Sequence, residues 1–398
     1  MIEAIDRQGY KATTVAHVIA LAGVSRRAFY EQFANKEDCF LATYDIAVAR
    51  AKKRMLEGWM SERGWANRMH RSCQAFVEDA IKNTKAMRLV LIDGLGLGVV
   101  SRERMLRSAV AFERAIGAGF RAAPDGVPLP PLAPKAIVGG ARYALLDRLR
   151  TGREAELPML TDELLDWISA YRSPAARIAV AGAVPHTPAE PARFLENDEK
   201  RARVLGAVVH LTLDQGYTEL TDPQIAQFAG MSTESFHKQF PDKRACYLAV
   251  IDAFMEETVE AVKEASAQGE DWAEAAYLGV KAGVEHLAAR PGLVKMAFVD
   301  LFEVGSGVTE SIGRTLGRLS TLLRESSPEP VRAPLLAHEA IAGGVWSVIG
   351  SYAVRKRVKY LPSLIDHIAF LVLAPYVGPK VAAQTIDTAR RRISEEVA

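Results

Sequence analysis

Residues 14–36, TVAHVIALAGVSRRAFYEQFANK, decide the fold of this 398-residue chain. Thr14 can cap the N-terminus of a short helix, and Gly23 can make the left-handed turn that ends it. Ser25 can then cap a further helix that starts directly after the turn. The segment therefore predicts two short helices joined by a tight turn.

The second of these helices has two different faces. Phe29 and Phe33 lie four residues apart and share the face that packs inward. The outward face is left with Arg26, Arg27, Tyr30 and Glu31. A helix presented in this way fits the major groove of DNA. Two arginines at its start favour contact with guanine or phosphate.

The same pattern returns 207 residues later. Between positions 9 and 45 this shift gives 14 identities in 37 residues, far more than unrelated sequence would give. A shift of 204 then brings Gly139-Gly140 onto Gly343-Gly344 and Leu157-Pro158 onto Leu361-Pro362. Repetition over this length predicts the tandem duplication of a complete domain.

In the second copy, a first helix is predicted over Arg201–Gln215, with Gly216 as its left-handed cap. Thr221 can cap a second helix over Asp222–Ala229, followed by a turn at Gly230. Ser232 can cap a third helix with Phe236 and Phe240 inward and Thr233, Glu234, His237 and Lys238 outward. Because Glu234 repels phosphate, we expect this motif to bind DNA more weakly than the first.

The first copy departs from the second at its beginning. Only Met1–Gln8 precede Gly9, so the counterparts of 201–207 are absent. The first helix of this copy is therefore expected to be truncated. Two explanations stay open: the start lies upstream of Met1, or packing from elsewhere holds the motif in place.

The spacing of cap, turn, aromatic pair and following lysine resembles the DNA-binding signature of the TetR (tetracycline repressor) family, in both 14–36 and 221–243. The resemblance implies an all-α transcriptional regulator, a repressor released by a small-molecule effector, whose third helix enters the major groove. It also implies phosphate contacts by the threonine and lysine at the two ends of each motif. The candidate DNA-binding residues are Thr14, Ser25, Arg26, Arg27, Tyr30, Lys36, Thr221, Ser232, Thr233, His237, Lys238 and Lys243.

The rest of each copy then corresponds to a helical regulatory domain that binds the effector and pairs through its last two helices. Gly139-Gly140 and Gly343-Gly344 would let two helices approach closely there. We expect a covalent pseudo-dimer with two non-identical heads, able to read an asymmetric or imperfectly palindromic operator. The candidate effector-binding residues are Trp65, Met69, Phe76, Met87, Trp272, Tyr277, His286, Met296, Phe298 and Trp346.

Five segments follow from this division of the chain. They are a helix-turn-helix domain over 1–45, a regulatory domain over 46–172, a linker over 173–199, a second helix-turn-helix domain over 200–252, and a second regulatory domain over 253–398. The linker assignment rests on Pro174, Pro185, Pro188 and Pro191. Elsewhere apolar residues recur every three or four positions without sustained alternation, which predicts an all-α fold.

The amino-acid composition of the chain excludes several classes of protein. With 49% apolar and 25% charged residues and a net charge of +2, the chain is typical of a globular protein that contacts nucleic acid only through local patches. Three scattered cysteines and eight histidines without metal spacing predict neither disulfides nor a metal site, and no cofactor is expected. No apolar run of about 18 residues and no signal-peptide core are found, so we expect a cytoplasmic protein that does not enter a membrane.

Three other functions are less consistent with the sequence. An enzyme with a dinucleotide loop at Asp93–Gly98 has the wrong glycine spacing and no surrounding strands. A ligand- or partner-binding module, in which one or both motifs no longer bind DNA, would lack steep salt dependence. A redox switch using Cys39 and Cys246 is disfavoured because both positions face inward.

Overall fold

The computed structural model describes residues 1–96, 98–125, 129–172, 192–195, 199–305, 307–327 and 336–397. Throughout these ranges the regular structure is helical and contains no strand. The predicted all-α class is therefore confirmed. Below, residues 1–172 are called the N-terminal half and residues 192–397 the C-terminal half.

The described residues of the N-terminal half contain nine α-helices. They are α1 (Ile2–Ala12), α2 (Val15–Ala22), α3 (Arg26–Gln32), α4 (Lys36–Ser61), α5 (Trp65–Lys82), α6 (Thr84–Leu91), α7 (Gly98–Arg121), α8 (Ala133–Thr151) and α9 (Leu160–Ser169). Short 3₁₀ turns at Asp93–Gly96 and Glu154–Met159 precede α7 and α9.

The C-terminal half begins with a 3₁₀ turn at Arg193–Leu195. Its helices are α10 (Lys200–Gln215), α11 (Asp222–Phe228), α12 (Thr233–His237), α13 (Lys243–Ser266), α14 (Trp272–Ala288), α15 (Pro291–Lys295), α16 (Leu301–Val304), α17 (Val308–Ser326), α18 (Ala337–Val354), α19 (Ile365–Val377) and α20 (Pro379–Val397). A π-helical turn, Met296–Asp300, links α15 to α16, and a 3₁₀ segment, Val358–Leu364, leads into α19.

Side-chain caps fix where the long helices begin. Asn35 accepts a hydrogen bond from the backbone N–H of Asp38 at the start of α4, and Asp242 accepts one from Ala245 at the start of α13. Each cap satisfies a backbone donor that the first helical turn leaves unpaired. The long helices that follow the two helix-turn-helix motifs, α4 and α13, therefore start at positions 207 residues apart, Lys36 and Lys243.

One large apolar core runs through both halves, but it does not include the first helix-turn-helix. Phe236, Phe240 and Cys246 of the C-terminal motif belong to this core. The N-terminal motif instead has two small clusters of its own, one around Phe29 and one around Phe40. Because local stability follows buried apolar contact, the N-terminal motif is the less firmly anchored of the two.

Helices α8 and α18 cross at their glycine pairs. A Cβ on Gly139 would lie 2.9 Å from the carbonyl oxygen of Gly343, and one on Gly343 would lie 3.1 Å from the carbonyl oxygen of Gly139. A Cβ on Gly140 would meet the carbonyl of Ala340 at 2.4 Å, and one on Gly344 would meet that of Ala136 at 2.9 Å. These contacts are reciprocal between residues 204 positions apart, as in an isologous interface.

Helix α9 adds to this junction. The buried Trp167 packs over Gly140, and the hydroxyl of Tyr171 donates a hydrogen bond to the carbonyl oxygen of Leu371 in α19, 3.0 Å away. Leu157-Pro158 and Leu361-Pro362, the aligned Leu-Pro pairs, lie in the 3₁₀ turns that precede α9 and α19. The helices α8, α9, α18 and α19 thus meet where the two halves join.

Several details differ from the sequence-based expectations. Gly216 ends α10 at φ 87° and ψ 157°, a positive φ but not the left-handed helical conformation. Most of the predicted linker, 173–191 and 196–198, lies outside the described residues. The stretch Val358–Val377 is long and apolar enough to cross a membrane, but 72% of it is buried inside the protein, as in a core helix.

Candidate nucleic-acid interface and effector cavity

The N-terminal motif folds through the caps that its sequence predicts. The Thr14 side chain accepts a hydrogen bond from the backbone N–H of His17, whose ring accepts one from the Thr14 N–H in return. Gly23 adopts the left-handed conformation at φ 66° and ψ 29°. Ser25 accepts from the N–H of Ala28, 3.1 Å away, and starts α3.

Helix α3 presents a basic outer face. Phe29 is buried, and its ring centroid lies 5.4 Å from that of the half-buried Phe33. On the outer side Arg27 is 90% exposed and pairs with Glu31 at 2.9 Å, which leaves the Arg26 charge in excess. The Arg26 guanidinium lies 5.9 Å from the ring centroid of the exposed Tyr30. The predicted outward residues therefore all face solvent, where a DNA groove could reach them.

Lys36, a predicted phosphate contact, has its ammonium group engaged inside the protein. Its Nζ donates to the carbonyl oxygens of Tyr10 at 2.9 Å and Thr13 at 2.8 Å, and lies 4.1 Å from the Tyr10 ring centroid. These carbonyls end α1 and immediately precede the Thr14 cap. Lys36 therefore fixes the position of α2 relative to α1, and its phosphate contact stays a prediction.

The C-terminal motif has the same framework. Thr221 and Gln224 form a reciprocal capping box at the start of α11. Gly230 turns at φ 67°, and Ser232 accepts from the N–H of Ser235 at 3.2 Å to start α12. The predicted helix Asp222–Ala229 ends one residue earlier, at Phe228. The Lys243 ammonium donates to the carbonyls of Tyr217, Thr218 and Leu220, as Lys36 does in the other motif.

The outer face of α12 is electrically balanced. Lys238 Nζ lies 2.8 Å from Glu234 Oε1, and His237 Nε2 lies 3.7 Å from Asp222 Oδ2. Thr233, the remaining predicted contact on this helix, is partly buried. The two candidate reading helices therefore differ in charge, and the weaker DNA binding of the second motif stays a prediction.

Helix α1 is short, and contacts with α6 hold it. Its first segment ends at Gly9 (φ 73°, ψ 164°) after seven residues, whereas α10 has 16 residues before the equivalent Gly216 (φ 87°, ψ 157°). Ile5 packs beside Phe40 in the small cluster at the base of the motif. Lys85 of α6 donates to Glu3 at 2.8 Å and lies 2.9 Å from Asp6. A neighbouring helix thus supplies contacts that orient the truncated α1.

The candidate effector residues fall in several places. Trp65 and Met69 line a pocket of about 340 Å³ between α5 and α9. Phe298 and Trp346 line a second cavity, of about 220 Å³, where the two halves meet. The remaining candidates pack elsewhere: Phe76 against Phe112, Met87 in the core, Trp272 against Tyr376, Tyr277 against Asp366, His286 against Phe254, and Met296 beneath Tyr247. The ten residues do not form one site.

Among the candidate effector residues, His286 has a strongly lowered pKa. Burial above all, together with the neighbouring Arg290 charge, lowers its pKa to about 4. Arg290 Nη1 lies 3.2 Å from the His286 Nδ1, and the ring stacks on Phe254 at 5.7 Å between centroids. His286 is therefore neutral at physiological pH and behaves as a packed core residue.

Two residues that line the second cavity, at the junction of the two halves, are not predicted from the sequence. Arg142 of α8 and Arg102 of α7 both line it beside the aromatic residues. Arginines on amphipathic helices ordinarily face solvent, so no local pattern marks these two as internal. The only available signal was the position of Arg142 three residues after Gly139, on the helix expected to pair.

The alternative chemical sites find no support among the described residues. Asp93–Gly96 is a 3₁₀ turn leading into α7, without a strand before it, and Leu97 lies outside the described residues. Cys39 and Cys246 are buried free thiols, and burial raises the pKa of each. Burial also raises the pKa of Cys73, to about 12. All three are poor thiolate nucleophiles at neutral pH.

A capped helix-turn-helix with an exposed basic third helix defines a DNA-binding protein of the helix-turn-helix class. Residues 2–43 match the family model described as bacterial regulatory proteins, tetR family. The match covers the N-terminal helix-turn-helix domain only, and it supports a role in DNA-binding transcription regulation. No curated protein matches the chain.

Three solved structures are similar to parts of the chain. The fatty acid degradation regulator FadR from Bacillus halodurans is 20% identical over 45% of this chain and 97% of its own, with a TM-score of 0.38. The regulator FadR from Bacillus subtilis, in complex with stearoyl-CoA, is 19% identical over 43% and 97%, with a TM-score of 0.37. A TetR family regulator from Marinobacter aquaeolei VT8 is 19% identical over 49% and 95%, with a TM-score of 0.31.

Proposed function

We propose that this protein is a repressor in which a single chain supplies both of the DNA-binding units that a dimer would supply. Its N- and C-terminal halves are the two units, joined across α8 and α18, and each carries one helix-turn-helix head. The observation that carries the proposal is the reciprocal contact of Gly139 with Gly343, because residues 204 positions apart meet as the same surface of two subunits would. A covalent link keeps the two heads together at high effective concentration.

The two heads differ, so the operator is asymmetric or an imperfect palindrome. The α3 face carries the excess charge of Arg26, while the charges of α12 are paired with one another. The first head therefore contributes more of the phosphate attraction and of the contact with bases. Half-sites about 34 to 36 Å apart, or a multiple of this, would place both reading helices in successive major grooves.

A small effector releases the DNA by preferring an arrangement in which the two heads no longer match the groove spacing. The N-terminal head suits such control, since its apolar contacts lie in two small clusters and not in the main core. A modest change in the core beneath it can reorient α3 at little cost in global stability.

Selection of bound fragments from random double-stranded DNA by the full chain, followed by footprinting, tests the proposal. We expect one chain per site and two unlike half-sites. Arg26→Ala with Arg27→Ala should remove protection of one half-site, and Thr233→Ala with Lys238→Ala should weaken the other. Lys380→Ala, an exposed lysine of α20, is the matched control.

Two identical half-sites, or two chains per operator, would contradict the pseudo-dimer. Protection unaffected by changes on α12 would favour the alternative in which the second motif no longer reads DNA. No salt-dependent binding to any fragment would favour a module that binds only ligands or partner proteins.

A further inference from the structure

The cavity of about 220 Å³ lies on the junction between the two halves, not within either one. Helices α7 and α8 form one wall, and α17 and α18 form the other. Gly139 and Gly343, the central pair of the helix crossing, both line it. A chain with one such crossing has one such cavity.

Equivalent positions across the crossing carry unlike side chains. Arg142 of α8 corresponds to Trp346 of α18 under the shift of 204, and Tyr143 corresponds in the same way to Ser347. All four residues line the cavity. The duplication has therefore left a cavity with a cationic side and an aromatic side, which two identical subunits could not form.

The cationic side carries a positive charge that no described carboxylate neutralises. Among the described residues no carboxylate pairs with Arg142, and its Nη2 lies 3.9 Å from the Met105 sulfur, a weak acceptor. Burial lowers the pKa of the Arg142 guanidinium, although arginine remains charged at neutral pH. Arg102 donates from Nη1 to the Val299 carbonyl at 3.0 Å, while its buried Nε has no acceptor among the described residues. By contrast, Lys135 pairs with Glu113 at 2.7 Å and is neutralised.

The aromatic side is built by the π-helical turn Met296–Asp300. This turn places Phe298 against Trp346, with ring centroids 4.1 Å apart. In this turn the Met296 carbonyl oxygen accepts a hydrogen bond from the Tyr247 hydroxyl. The Val299 carbonyl oxygen accepts one from the Arg102 guanidinium. Single π-helical turns of this kind recur at functional sites.

We propose that this cavity is the effector site and that it takes one organic monocarboxylate per chain, with the carboxylate on Arg142 and a compact apolar body against Phe298 and Trp346. An uncompensated guanidinium inside an apolar wall is costly, and a carboxylate is the anion that matches its planar donors. A cavity of about 150 Å³ holds benzene, so the larger volume here suits a one- or two-ring aromatic acid or a short aliphatic acid. The assignment as effector site rests on the repressor function proposed above.

The cavity also borders the part of the core that carries the first head. Met105 lines the cavity and belongs to the small cluster with Ile5 of α1 and Tyr44 of α4. Phe302, another lining residue, packs against the same cluster. An occupant that moves these two side chains acts on α1 and α4, and so on the first head before the second.

Isothermal titration of the full chain with 2-naphthoate, octanoate and neutral 2-naphthamide tests the site. We expect one binding event per chain with the acids and at least tenfold weaker binding of the amide. Arg142→Met should weaken 2-naphthoate about 10- to 100-fold, the range for a hydrogen bond between charged partners, and leave 2-naphthamide unchanged. Arg107→Met, the same change on an exposed residue of α7, should alter neither.

Two further variants keep the test decisive if Arg142→Met does not fold. Arg142→Lys retains the charge and should bind 2-naphthoate with intermediate affinity, and Ala109→Phe fills the cavity and should block acid and amide alike. Two acids bound per chain, equal binding of acid and amide, or wild-type affinity in Arg142→Met would each overturn the proposal. DNA affinity is measured on the same samples. If the wild type binds DNA but no acid, the effector site proposed here is refuted and the repressor function is not. If the wild type does not bind DNA, the repressor function is refuted.

Discussion

Gly139 and Gly343 lie against each other, backbone to backbone, at the centre of the α8–α18 crossing. A Cβ added to Gly139 would stand 2.3 Å from the Cβ of Ser347, closer than any two carbon atoms pack without a bond. The crossing therefore depends on the absence of a side chain at this position. This makes the junction of the two halves testable by adding a single methyl group.

Gly139→Ala is expected to lower the melting temperature, because overpacking of this kind costs about 1 to 3 kcal/mol. Gly317→Ala is the control: Gly317 is helical, and an added Cβ there would meet nothing within 4 Å. That change should leave stability unchanged or raise it by up to about 1 kcal/mol, since alanine favours helix more than glycine. Differential scanning calorimetry measures both, and equal melting temperatures for the two variants would rule out a tight junction at Gly139.

The helix-turn-helix framework could be predicted from the sequence because its signals are local. Thr14, Gly23 and Ser25 act within three or four residues of themselves, and each takes the conformation that its type and position imply. The inward and outward faces of α3 followed from helical period alone. These features need no knowledge of the rest of the fold.

What depends on long-range packing could not be predicted in the same way. The phosphate contact of Lys36 stays a prediction, but no local pattern signals that its ammonium bonds carbonyls 23 and 26 residues earlier in the chain. The cavity around Arg142 exists only because α8 meets α18, and nothing near Phe298 in the sequence signals a π-helical turn. Residue type alone therefore identifies effector candidates that lie in several separate parts of the fold.

Lys36→Met should loosen the joint between α1 and α2 and weaken DNA binding without changing its salt dependence. The reason is that the ammonium donates to the carbonyls of Tyr10 and Thr13, not to solvent-facing partners. Hydrogen exchange should become faster in α1 and α2, with Lys53→Met, an exposed lysine of α4, as control. If the slope of log affinity against log salt instead falls by about one, Lys36 contacts a phosphate.

Glu234→Gln is expected to strengthen DNA binding by the second head. It removes a negative charge from the outer face of α12 and releases Lys238, whose ammonium now lies 2.8 Å from the carboxylate. Affinity for a selected operator should rise several-fold at low salt and less at high salt, because the gain is electrostatic. Glu260→Gln also frees a lysine, Lys263, but on α13, and should have no effect. An unchanged affinity with Glu234→Gln would show that α12 does not approach DNA.

His286 should make the protein less stable as the pH falls from about 6.5 to about 4. Its pKa in the folded protein is about 4 against an ordinary value of 6.5, so in this window the unfolded chain takes up a proton that the folded protein does not. Protonation of the unfolded state therefore draws the equilibrium toward unfolding, whereas above pH 6.5 neither state is charged. His286→Gln should reduce the difference in melting temperature between pH 7.5 and pH 5. Part of the difference should remain, because burial also lowers the pKa of His367. A variant whose pH dependence matches the wild type would show that His286 is exposed to protonation in the folded protein.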